Sequence, residues 1–166
     1  MQVGTFWTIL LIVHGLLAVA LLGAISHQAA SVLAGFRMQH RTTEHAGDNF
    51  IERFSRVRGQ GYASAVCVLW MATFLLGGWI YTKYRIAIRI PMEQEGFWKT
   101  QGAFELKEHL ATIGLLLLPY YWSLWKGAPS QDGEKARRWI TLILASIVWY
   151  LFLVGHIVNN VRGFGS

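Results

Sequence analysis

The chain has 166 residues, 54% of them hydrophobic and only 14% charged, with eight Trp, one Cys and a formal net charge of +6. That balance excludes an ordinary soluble domain, in which about a quarter of the residues are charged, and the single cysteine excludes an internal disulfide. The positive charge does not point to nucleic acid, because the basic residues flank apolar runs and form no stripe interleaved with aromatics.

Four apolar stretches, roughly 5–35, 62–83, 104–125 and 138–159, can each cross a hydrocarbon core of about 30 Å at about 1.5 Å per residue. The first has no basic residue ahead of it and no Ala-x-Ala cleavage pattern, so a retained membrane helix is expected rather than a secretion signal. Its small residues, among them Gly15, Ala18, Gly23 and Ala24, predict the most enclosed helix, since helices in lipid approach one another through such positions. Segment 36–61 is polar with Phe50, Ile51, Phe54 and Val57 at helical spacing, and reads as a short amphipathic helix on the membrane surface.

Cys67 lies inside the second stretch and reads as a small core residue. Between the second and third stretches, "YRIAIRIP" alternates basic or small residues with isoleucine, which predicts an extended segment. The connection 127–137, "GAPSQDGEKAR", reads as a plain turn. The expectation is a single domain over 1–166: an all-α, four-helix transmembrane bundle running up-down-up-down. A closed barrel is excluded by the absence of alternating strands of about ten residues.

The loop after the first stretch carries Arg37, Arg41, Arg53, Arg56 and Arg58, and the third loop carries Lys126, Lys135, Arg137 and Arg138. Those nine face the cytoplasm by the positive-inside rule, against six on the other side. Both termini are then outside, periplasmic if the membrane is the inner membrane of a Gram-negative bacterium.

"GWIYTKYR" at 78–85 is echoed by "GHIVNNVR" at 155–162, and His14 and His109 each open an apolar run. Read as a duplicated hairpin, this matches His14 to His109, Trp79 to His156 and Arg85 to Arg162. Duplication aside, His14, His109 and His156 all fall in the outer half of their helices, where ionisable groups usually face the interior of a bundle.

A b-type haem needs imidazoles on facing helices, small residues to admit the macrocycle, and cations near the surface for its propionates. His14 and His109 are the first-choice ligands, because diagonal helices one and three run the same way; His156 is the substitute for either. Gly15, Ala18, Gly114 and Gly155 make room, and Arg85, Arg162 and Lys107 meet the propionates. His27 lies about 19 Å deeper than His14 with no histidine partner at its level, and His40 and His45 sit in a polar loop, so one haem is expected, not two.

In general plan the chain resembles the small b-type cytochrome membrane subunits: four helices, few histidines, little outside the membrane. The resemblance implies electron transfer between a quinone pool and a redox partner on the outer face, within a larger complex. The chain departs from the diheme pattern, in which two helices each carry two histidines at opposite depths. Two other readings stay open. His14, His109 and His156 with Glu105 or Glu108 form a copper or zinc ligand set, Glu105 and His109 being one turn apart. Alternatively, the aromatic belts and the small-residue helix dock a cofactor-free accessory subunit onto a larger assembly. No nucleophile-base pair, phosphate loop or cysteine metal pair supports soluble-type catalysis.

Overall fold

The computed structural model of the chain describes residues 3–39, 59–127 and 130–161. Among these every regular element is helical: α1 (Val3–Gln39), α2 (Gly59–Tyr84), a five-residue π segment (Arg85–Arg89), α3 (Ile90–Gln94), α4 (Trp98–Lys126) and α5 (Gln131–Val161). The expected amphipathic segment 40–58, with His40 and His45, and Arg162 lie outside the described residues.

Side-chain contacts set the direction of each helix. Phe6 meets Trp79, and His27 stacks on Tyr62, so α1 and α2 are antiparallel. Trp70 donates to the Ala111 carbonyl and Trp122 to Ser64, so α2 and α4 are antiparallel too. The Tyr150 hydroxyl donates to the Ala103 carbonyl and Trp125 to Thr141, which opposes α4 and α5, and Trp149 donates to Ser26 between α5 and α1. The four long helices thus close a ring in the order α1, α2, α4, α5. We call the end holding the starts of α1 and α4 the upper end.

Among the described residues three segments are long and apolar enough to cross a membrane: Gly4–Leu33, Gly61–Gln94 and Gln131–Asn160. α4 has the length, since its 29 residues span about 43 Å at about 1.5 Å each, but Glu105, Lys107, Glu108 and the run Pro119–Tyr121 dilute its hydropathy. The exterior is nonetheless apolar on every long helix, with Leu16, Leu75, Leu116 and Ile157 exposed, while Gln28, Gln101 and Thr141 are buried. Apolar groups outward and bonded polar groups inward is an arrangement suited to lipid.

Two boundaries differ from the sequence expectation. Residues 85–94 are helical, not extended, because Tyr84, Ile88 and Met92 bury at steps of four and Arg89 pairs with Glu93 one turn on, while Pro91 follows directly on the π segment. The expected turn 127–137 is short, and α5 starts at Gln131. Ser130 caps it, its hydroxyl accepting from the Gly133 N–H at 3.3 Å, and Asp132 and Glu134 sit in the first turn, where the helix dipole favours them.

The lower core is a bonded polar layer within apolar packing. The Tyr121 hydroxyl donates to Gln28 Oε1, and Trp125 Nε1 donates to Thr141 Oγ1, which itself donates to the Arg137 carbonyl. Each of these bonds satisfies a group that is costly to bury alone.

Candidate functional site

Buried residues on α1 follow a seam at steps of three and four, Leu21, Ile25 and Gln28. Extended upward, that seam reaches Ala18 and His14. On α4 the seam Gly114, Leu118, Tyr121 and Trp125 extends upward to Ala111, Lys107 and Phe104. The upper continuations meet glycines set among larger residues: Gly77 and Gly78 on α2, Gly155 on α5. Large side chains close the lower core, whereas the upper seam leaves a cavity of about 490 Å³ among all four long helices.

His14 projects into this region beside Gly77. A Cβ at residue 77 would stand 3.1 Å from its Cε1, tighter than ordinary packing. Its Nδ1 is buried without a hydrogen-bond partner. His156, although exposed, lines the same cavity from α5, with its ring parallel to Phe152 one turn earlier at a centroid distance of 6.4 Å. Across from them Lys107 and Glu108 enter from α4. The Lys107 ammonium lies over the Phe104 ring, 4.6 Å from its centre, and a Cβ on Gly155 would be 3.6 Å from its Nζ.

Above the cavity Tyr84 stacks on Phe104 at 4.1 Å and donates from its hydroxyl to buried Gln101 at 3.1 Å. Arg89 ties this lid to α4, bonding Glu93 at 2.8 Å and Glu105 at 2.9 Å. Trp70 closes the lower end, its indole N–H on the Ala111 carbonyl at 3.3 Å.

Among the described residues the structure therefore brings His14, His156 and Lys107 onto one cavity wall and leaves His109 and Arg85 off it. His109 is exposed and absent from the cavity wall; its Nδ1 bonds the Glu105 carbonyl of its own helix at 2.8 Å. The reason is rotation, not level. Lys107 and Glu108 flank the α4 seam, and each further residue turns about 100° around the helix, so the next position faces outward. The first-choice pair His14 and His109 is not assembled, whereas the substitute His156 shares a wall with His14. Arg85 is exposed away from the cavity, and Arg89, which sequence reading did not single out, is the ordered guanidinium at the rim.

Gly114 also differs from expectation: the room it provides is filled by the Trp70 indole. His27 is buried near the lower end, stacked on Tyr62 at 4.4 Å. The copper or zinc set is not assembled either. Glu105 is paired to Arg89, His109 points outward, and among the described residues no group of three His, Cys, Asp or Glu stands close enough to hold a metal ion.

No family model matches the chain, and neither do the curated proteins or the solved structures. The duplicated hairpin has no counterpart in the cavity, where Trp79 is exposed against Phe6 and its partner position, His156, lines the wall.

Proposed function

We propose that this chain is a four-helix membrane subunit that carries one b-type haem in the upper cavity, held by His14 and His156, and relays electrons near the outer face of a bacterial inner membrane. The observation that carries the reading is that two histidines from neighbouring helices open onto one apolar cavity whose wall is cut back by Gly15, Gly77, Gly78 and Gly155. Its volume of about 490 Å³ falls in the range of about 300–1,000 Å³ typical of cofactor pockets. The unpartnered Nδ1 of His14 adds an imidazole that no protein group fully satisfies.

A haem held there by His14 and His156 would supply one-electron chemistry. The chain's own residues supply the rest. His14 and His156 provide ligand nitrogens, Phe74, Phe104 and Phe152 provide an apolar wall, and the Tyr84–Gln101 and Arg89–Glu105 contacts hold the lid over it. In this reading all four long helices span the bilayer up-down-up-down with both termini outside. The partners are redox subunits on the outer face and a quinone pool in the membrane.

The test is the visible spectrum of the purified, reduced protein. Sharp low-spin b-type bands at about one haem per chain are expected. A colourless protein that is folded and takes up no added haem removes the reading and leaves the zinc site or the cofactor-free docking subunit.

A further inference from the structure

We infer that Lys107 is the counter-ion for a carboxylate carried by the molecule that fills the upper cavity. The inference rests on the haem reading and deepens it by assigning one end of the occupant to α4.

Lys107 lies nine residues into α4, about 13 Å along the helix, and its side chain runs over Phe104 toward Gly155 instead of out to the surface. Two of the three carboxylates of this region are paired. Glu93 and Glu105 are both neutralised by Arg89. Glu108, the neighbouring cavity residue, contributes a field at Lys107 but no ion pair, and among the described residues no carboxylate oxygen comes within 4.0 Å of the Lys107 ammonium. An ammonium at such depth is costly without an anion in contact, and a cation over an aromatic ring offsets only part of that cost.

Three features show that the position is arranged for the ammonium. Phe104 offers it a ring face, Gly155 leaves open the space beside it, and most of the cavity wall it enters is apolar. A carboxylate on the occupant completes the pair. The haem propionates carry that group, and so does a free fatty acid from the bilayer, so a carboxylate-masked porphyrin separates the sources.

The experiment titrates haem and haem dimethyl ester into cofactor-depleted full-length protein, following the Soret band, for the wild type and for Lys107→Gln and Lys107→Arg. Loss of a charge-assisted hydrogen bond corresponds to about 10- to 100-fold in affinity. Lys107→Gln should lose that factor for haem while binding the dimethyl ester within about threefold of wild type, and Lys107→Arg should retain haem. Equal losses for haem and its ester in Lys107→Gln would overturn the counter-ion role alone. If the wild type binds neither porphyrin, the haem reading fails and the inference falls with it. If excess oleate displaces the ester from the wild type as well as it displaces haem, the carboxylate that Lys107 meets is a lipid's, not a propionate's, and the assignment to the porphyrin is wrong.

Discussion

Gly114 and Trp70 share one slot: a Cβ at residue 114 would overlap the indole ring of Trp70, which is only 2% exposed and bonded through its N–H to the Ala111 carbonyl. Neither α2 nor α4 can yield there without breaking the floor of the cavity. Gly114→Ala should therefore destabilise the protein by about 1–3 kcal/mol, the usual cost of overpacking a full core. Adding Trp70→Leu should restore part of that loss. Thermal unfolding in detergent checks both, and a Gly114→Ala protein as stable as the parent would show that the helices can part.

The Tyr121–Gln28 bond crosses the bundle from α4 to α1, both side chains being fully buried. Tyr121→Phe and Gln28→Leu should each cost about 1–3 kcal/mol. The double variant should cost less than the sum, because each single change strands a polar atom that the double removes. Strict additivity in a double-mutant cycle would mean the bond contributes nothing.

How much of this was legible in the sequence divides by dimension. Position along the bundle was readable from counting residues: His14, Gly77, Lys107 and Gly155 meet at one level, and His27 lies near the other end. Rotation was not, since an apolar membrane helix has no polar outer face to mark its inside. That is why His109 was matched to His14, although the stripe Phe104, Lys107, Ala111, Gly114 and Leu118 already pointed away from it. The helical course of 85–94 was hidden for a related reason. Isoleucines at alternate positions imitate a strand, and the competing four-residue stripe of Tyr84, Ile88 and Met92 shows only when the segment is read together with α2.

Arg89 and Arg85 are four residues apart and behave differently. Arg89 bridges Glu93 and Glu105 across the lid, while Arg85 is exposed. Arg89→Ala should lower the unfolding midpoint slightly, with part of that effect lost in high salt, and Arg85→Ala should leave it unchanged. The comparison is read from unfolding midpoints at two ionic strengths. A larger effect at Arg85 would mean that the rim is built otherwise.

The proposed sidedness rests on the nine basic residues expected on the cytoplasmic side. In a Cys67→Ala background, a cysteine placed at Ser166 should react with a membrane-impermeant maleimide on intact cells, and one at Ser130 only after the membrane is opened. The reverse pattern would put the upper cavity on the cytoplasmic side and remove the outer-face redox partner.

The four histidine variants separate level from rotation at the site itself. His14 and His156 line the cavity, His109 stands at a similar level but faces outward on its own helix, and His27 packs on Tyr62 near the other end. If the first two are the ligands, His14→Ala and His156→Ala should each give a five-coordinate, high-spin haem or none. His109→Ala should leave the low-spin absorption and electron paramagnetic resonance spectra as they are. His27→Ala should lower stability by a packing increment of about 1–3 kcal/mol, again with the spectrum intact. Imidazole added in solution offers a further check, because a ligand lost to alanine beside Gly77 or Gly155 leaves space for it, so the low-spin spectrum should return in His14→Ala and His156→Ala. A low-spin spectrum that survives His156→Ala but collapses in His109→Ala would mean that α4 turns its other face inward when the cofactor is bound, and the pair assigned to the cavity would be wrong.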